Sequence, residues 1–281
     1  MTTYLRAGSI EEALDRLSRG PLRIVAGGTD VFPGLVDRPL REHVLDITAL
    51  RELRGITRHD GFFRIGALTT WTDVIGADLP AWFDGLKLAA REIGGVQIQN
   101  AGTVAGNVCN ASPAADGTVA LLALEAEVEL QGPGGMRRLG IADFVLGPRR
   151  TALGAGEMVM ALHVPDVQAR GASDFLKLGA RHYLVISIAM VSAVLHVDET
   201  GRVSRAGVAV GACSPVALRL PGLEAKLLGR KAGDGWADSV EAGDLAALSP
   251  IDDVRGSGDY RLDAALTLLR RSLARCEEAL R

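Results

Sequence analysis

Ser9-Ile10-Glu11-Glu12 opens the first regular pattern of the chain, a hydroxyl residue with a carboxylate three positions on, and Ile10, Ala13, Leu14 and Leu17 then recur at helical spacing. Gly20-Pro21 ends that amphipathic helix, Leu22 to Val25 reads as a short buried strand, and Val44 to Ile47 as another, with a helical turn carrying Leu50 and Leu53. The pattern begins again with a strand at Phe62 to Gly66, a helix cap at Thr70 to Asp73, and a helix opened by Pro80 with Phe83, Leu86, Leu88, Ala89 and Ile93 on its apolar positions. Val119 to Leu124 is apolar enough for a buried helix. Val128 and Leu130 alternate up to Gly132-Pro133-Gly134-Gly135, a turn that lets Met136 to Ile141 pair back as a hairpin. Glu157 to Val164, stopped by Pro165, closes this unit.

Gln168 to Ser173 is polar and small, and is the expected domain boundary. Beyond it, Phe175 to Leu178, the apolar run Leu184 to Val197 and Arg205 to Ala212 predict an antiparallel sheet, with a turn at Glu199-Thr200-Gly201. Helices follow at Leu223 to Leu228, around Glu241 to Leu248, and from about Tyr260 with Leu262, Ala265, Leu266, Leu269 and Leu273 on one face. The expected fold is α+β: residues 1–165 as one domain with subdomains 1–56 and 57–165, and residues 174–281 as a second.

Two glycine-bearing stretches interrupt this pattern. Gly102 to Asp116 reads as a turn running into a helix start, with Ser112 as N-cap and Pro113 as first helical residue, and Ala26-Gly27-Gly28-Thr29-Asp30 directly follows the strand Leu22 to Val25. Glycines free amide groups to point at one acceptor, and a helix start favours an anion, so a phosphate or diphosphate gripped from two sides is the candidate ligand. Either loop by itself is more often an ordinary strand-to-helix turn, and it is the pair that points to a ligand.

Composition narrows the choice. The chain has 281 residues, 48% hydrophobic and 23% charged, with a net charge of -3, which gives no electrostatic reason to expect nucleic acid. No uninterrupted apolar run spans a bilayer and the N-terminus lacks the form of a secretory signal, so a cytoplasmic location is expected. Cys109, Cys213 and Cys276 are scattered without metal-ligand or disulfide spacing, and so are the histidines at 43, 59, 163, 182 and 196. No complete GxGxxG, P-loop, HExxH or GxSxG occurs. A protein without its own nucleophile or metal cluster needs a cofactor for difficult chemistry.

Leu22 to Asp30, Thr103-Val104-Ala105-Gly106-Asn107 and Ala111-Ser112-Pro113 with Asp116 resemble the FAD-binding subunit, or middle domain, of the molybdenum hydroxylases, the family of xanthine, nicotine, aldehyde and carbon monoxide dehydrogenases. The resemblance covers nearly the whole chain and departs from the family pattern at Ala105, where the first of two glycines is usual. It implies a PCMH-type FAD-binding fold of two α/β subdomains plus a C-terminal domain with an antiparallel sheet and helices. It also implies noncovalent FAD: Thr29 stands where covalent flavin enzymes of this broader fold carry histidine.

By the same resemblance, Arg23, Ile24, Val25, Ala26, Gly27, Gly28, Thr29 and Asp30 would wrap the diphosphate and ribityl region. Gly102, Thr103, Val104, Ala105, Gly106 and Asn107 would hold the diphosphate from the other loop. Asp116 would reach a ribose or adenine-side hydroxyl, with a helix-dipole partner as its ordinary alternative. Lys177 would place positive charge by the flavin, Tyr183 would stack or gate acceptor access, and Ile186 would lie against the ring. Ile93 and Met160 would be adenine or ring contacts, with a core role as the alternative. The iron–sulfur clusters and molybdenum cofactor would sit on a small and a large partner subunit, in a heterotrimer or dimer of heterotrimers that passes electrons through FAD to NAD+ or oxygen. A self-contained PCMH-type flavin oxidoreductase and a non-redox nucleotide-binding assembly subunit remain open as other readings.

Overall fold

The structure, a computed structural model, describes residues 2–36 and 38–281; Met1, part of the leader reading, and Asp37 lie outside it. Among the described residues three sheets of three or more strands follow one another along the chain, with one further two-stranded pair. In the first, β1 (Tyr4–Arg6), β2 (Arg23–Val25) and β3 (Val44–Asp46) are parallel in the order β1-β3-β2, and α1 (Ile10–Ser18) makes the crossover. The Ser9 hydroxyl accepts from the Glu12 amide as expected, but the Glu12 carboxylate takes the Gly8 amide, at 2.9 Å, in place of the Ser9 amide that a full capping box would use.

The second sheet is antiparallel. β4 (Ile56–His59) and β5 (Phe62–Gly66) precede five helices: α2 (Trp71–Gly76), α3 (Asp84–Glu92), α4 (Val96–Ala101), α5 (Val104–Asn110) and α6 (Asp116–Ala123). The hairpin of β6 (Glu127–Gly132) and β7 (Gly135–Gly140) turns where the glycine-proline run predicts. A helical turn α7 (Ile141–Phe144) and the short pair β8 (Val145–Gly147) and β9 (Arg150–Thr151) lead to β10 (Met158–Pro165), giving the order β4-β5-β10-β6-β7.

The third sheet, also antiparallel, orders β11 (Arg170–Leu178), β12 (Ala189–Val197), β13 (Val203–Gly211) and β14 (Leu218–Arg219) consecutively. Helix α8 (Pro221–Leu227) and the 22-residue α9 (Gly258–Ala279), capped by Ser257, cover one face. β12 is buried along its whole length, and its alternation divides two cores: Met190 and Val194 face the helices of the second sheet, whereas Ala189, Val191, Ala193, Leu195 and Val197 face α9. Small residues at every second position of β13, Gly207, Ala209 and Gly211, let α6 lie directly on the sheet. A Cβ on Gly207 would sit 3.1 Å from the Ala123 carbonyl carbon, and one on Gly211 would overlap Val119 and Met190. Accordingly every residue of α6 is buried, as befits a helix enclosed on all sides.

Several expectations need correction. Thr103 to Asn107 is not a glycine turn but the first part of α5, because the Thr103 hydroxyl caps the Gly106 amide at 3.0 Å while Val104, Ala105 and Val108 face the core. Val96 to Ala101 is likewise helical. Ser112 and Pro113 do not start a helix: α6 begins at Asp116, and Ser112 instead closes a turn whose carbonyl accepts from the Ala115 amide at 3.1 Å. The apolar run from Leu184 enters the sheet only at Ala189, and the segment around Glu241 to Leu248 supplies a single 3-10 turn at Ala242–Leu245.

Candidate functional site

β2 ends at Val25, and the chain leaves the sheet into the loop 26–30, which is pressed directly against the corner between α4 and α5. A Cβ on Gly27 would lie 2.6 Å from the Ala101 carbonyl carbon and closer still to its oxygen, so only glycine permits this approach. Gly28 has φ +68° and rests on the Phe32 ring, where a side chain would meet both strain and an aromatic face. Gly102 completes the junction, its open side facing the Thr29 hydroxyl. The corner is tied to the second sheet by Trp71 N to Gly102 O at 3.2 Å and Val104 N to Thr69 O at 3.0 Å. No described residue accepts a hydrogen bond from the backbone amides of residues 27–31, a stretch that is half-buried to exposed. A row of unspent donors suits an anionic or oxygen-rich ligand.

Asp116, the first residue of α6, is turned inward. Its carboxylate accepts from Lys177 Nζ at 2.7 Å and from the Ser187 hydroxyl at 2.6 Å, with the Lys177 side chain 8% exposed and that of Asp116 7%. Burial pushes the Asp116 carboxyl above its ordinary range, against the pull of the Lys177 ammonium and the Ser187 hydroxyl. Lys177 also donates to the Val185 carbonyl at 3.2 Å, and Arg181 to that of Leu184 at 3.0 Å. The segment 179–188 between β11 and β12 therefore forms an arch held by its carbonyls. It exposes Tyr183 (47%), Leu184 (48%) and Ile186 (55%), and reaches over the Gly94-Gly95 turn, where a Cβ on Gly95 would be 3.6 Å from the Tyr183 hydroxyl oxygen. The loop thus meets the corner at Ala101 and Gly102, the arch reaches Gly95 just ahead of α4, and the start of α6 is bonded to the arch through Asp116 and Ser187.

Comparison with known proteins matches nearly the whole chain. The family described as FAD binding domain in molybdopterin dehydrogenase matches residues 1–167, and the CO dehydrogenase flavoprotein C-terminal domain matches residues 174–276. The chain belongs to the FAD-binding medium subunits of the molybdenum hydroxylases. It is 31% identical to the putative xanthine dehydrogenase FAD-binding subunit of Escherichia coli (strain K12), covering 97% of this chain and 94% of that one. It is 30% identical to the carbon monoxide dehydrogenase medium chain of Hydrogenophaga pseudoflava, covering 97% of each. Among solved structures, the Cu,Mo-CO dehydrogenase in its cyanide-inactivated form contains a chain that superposes with a TM-score of 0.90 at 27% identity, over 99% of this chain and 98% of that one.

The other expected positions of this medium subunit distribute as follows. Arg23 points out of the sheet and pairs with Glu42, its Nη2 to Oε1 distance 2.8 Å, while Ile24 is half-buried and Val25 buried. Asp30 is exposed at the loop rim. Ala105, the departure from the family pattern, is buried in the same core cluster as Val104 and Val108. Asn107 Oδ1 lies 3.5 Å from the Thr118 hydroxyl of α6. Ile93 is half-buried at the end of α3, and Met160 is a core residue of β10, 8% exposed. Burial pushes the Cys109 thiol up to about 12, so it is protonated at neutral pH and a poor nucleophile. Among the described residues no group of three or more histidine, cysteine or acidic side chains is placed to hold a metal, and no helix is long and apolar enough to cross a membrane.

Three contributors escaped sequence reasoning. Ser187 follows directly on the segment that carried the resemblance and is legible only as the next residue. Gly117 lets α6 pass the Trp71 ring, whose Cζ2 would be 2.8 Å from an added Cβ. Arg261 lies on α9, far along the chain, with no local signal.

Proposed function

We propose that this chain binds FAD noncovalently at the junction of residues 26–30 with residues 101–107 and serves as the electron-transfer subunit of a molybdenum hydroxylase. The observation that carries the reading is the junction itself: two backbone segments in glycine contact, beside a row of amides with no acceptor in the described chain. The diphosphate would take those amides, with Thr29 and Asp30 at the rim. Arg23, Ile24 and Val25 would act through the strand that delivers the loop, and Asn107 through its place on α5. Tyr183 and Ile186 on the arch would face the flavin ring, with Lys177 and Asp116 behind them. FAD supplies redox chemistry that no side chain here offers; the protein binds, orients and shields it.

Partner subunits would carry the [2Fe-2S] clusters and the molybdenum cofactor, as a heterotrimer or dimer of heterotrimers in the cytoplasm, with NAD+ or oxygen as final acceptor. The flavin-binding unit would comprise residues 1–165, divided at residue 56, and the unit 174–281 would contribute the arch. The isolated chain is expected to purify yellow, with a flavin spectrum, and to show no flavin reduction by organic substrates until the two partners are added. A colourless chain that takes up no FAD would overturn the cofactor assignment. Rapid flavin reduction by an organic substrate in the isolated chain would overturn the subunit assignment in favour of a self-contained oxidoreductase.

A further inference from the structure

The arch 179–188 has little packing of its own: Tyr183, Leu184 and Ile186 are each about half exposed, and Leu184 holds a left-handed backbone at φ +53°, unfavourable for a non-glycine residue. Such a segment keeps one conformation only if its surroundings over-determine it. Its carbonyls show how. Leu184 O accepts from Arg181, Val185 O from Lys177, and Ile188 O, at the end of the arch, from Arg261 Nη1 at 2.6 Å. The first two cations belong to the arch and the strand leading into it. The third comes from α9.

Arg261 is 3% exposed, and a guanidinium is costly to bury unless its donors are met. Here the two Nη groups are met by three separate segments, while Nε has no partner among the described residues. Besides Ile188 O, Nη1 reaches Ala212 O at 3.1 Å, and Nη2 reaches Asp253 Oδ1 at 2.6 Å. Ala212 in turn donates its amide to Pro113 O at 2.9 Å, just ahead of Asp116, and Ile188 adjoins Ser187, which bonds Asp116 Oδ1. Arg261 therefore staples the base of the arch, next to Ser187, to Ala212 just past the end of β13, whose amide bonds Pro113 three residues ahead of Asp116. Its planar fork serves divergent acceptors in a way a lysine ammonium does not reproduce.

We propose that Arg261 is a positioning residue for the flavin side of the site: from the C-terminal helix it sets the arch that presents Tyr183 and Ile186, acting through Ile188 and Ala212 without touching the cofactor. This rests on the reading of the chain as an FAD-binding subunit. The test uses the full chain and Arg261→Met, with Arg270→Met as control. Arg270 lies on the same helix and donates to the Val240 carbonyl at 2.9 and 3.2 Å, away from the arch.

Trypsin cleavage after the exposed Arg181 reads the arch directly. Arg261→Met should be cut there at least tenfold faster than the parent, and its bound flavin should show altered visible circular dichroism. Arg270→Met should match the parent in both, even if its melting temperature falls. Should Arg261→Met not fold, Arg261→Lys carries the same comparison, with severalfold faster cleavage expected. Unchanged cleavage and an unchanged flavin signature in the Arg261 variant would overturn the proposal. A parent chain that takes up no FAD would refute the function reading instead, and cleavage at Arg181 would still decide whether Arg261 holds the arch.

Discussion

The wall of the site built from residues 26–30 and 101–107 meets through backbone, whereas the wall built from residues 177–188 hangs on side-chain charge. In the first, glycines remove every atom that could keep the segments apart, and contact is enforced by sterics that no pH or salt alters. In the second, an aspartate and a lysine, each almost entirely buried, hold an arch whose own apolar tips stay about half exposed. The difference separates a part that must be rigid from one whose position depends on charge; under the proposed function the first would grip the diphosphate and the second would present residues to the ring. The seam between the two sheets offers a third case, a buried titratable group without a partner. Both ring nitrogens of His196 lack a hydrogen bond, its ring is 5.5 Å from that of Trp82, and Glu125 and Arg205 line the same small cavity.

The largest effect is expected on the charged wall. Asp116→Ala leaves Lys177 buried without its counter-charge, and should lower unfolding stability by about 3–5 kcal/mol, the usual cost of breaking a buried pair from one side. Adding Lys177→Met should restore a good part of it in urea denaturation. A loss below about 1 kcal/mol in the single variant would mean that the pair does not hold the arch.

His196 comes next. Burial pulls its imidazole down to about 4 from the ordinary 6.5, so between those values the unfolded chain binds a proton that the folded chain refuses. Its contribution is intact above pH 6.5 and is lost as pH falls toward 4, by up to about 3 kcal/mol. His196→Phe should flatten the stability profile between pH 7 and pH 4.5 relative to the parent; parallel profiles would refute the assignment.

On the backbone wall, Gly27→Ala should cost about 1–3 kcal/mol through overpacking against Ala101, and the variant should purify without flavin. Gly20→Ala, at a position with nothing within 4 Å of an added Cβ, should do neither. If Gly27→Ala keeps full flavin occupancy, the two segments do not need to touch. The smallest effect belongs to Thr103→Ala, which removes the cap of α5 and should lower stability by about 1 kcal/mol without a pH-dependent component, measurable as a shift in urea midpoint.

Features decided within a turn or two of chain were legible in the sequence: the caps at Ser9 and Thr70, the hairpin at Gly132 to Gly135, the alternating strands, and the loop residues whose resemblance pointed to a flavin-binding subunit. Each depends on spacing that the chain carries with it. Helix α5 was missed because its seven residues include a glycine and two asparagines, poor helix formers that only Thr103 and a buried face make helical. What remained for the tertiary structure was every partnership across distance. Asp116 finds Lys177 61 residues away and Ser187 71 away, Gly27 owes its identity to a carbonyl at Ala101, and Arg261 reaches Ile188 from the last helix. No local pattern encodes these contacts, because which carboxylate meets which cation is settled only once α6 lies in the small-residue groove of β13 and the sheets have packed around it.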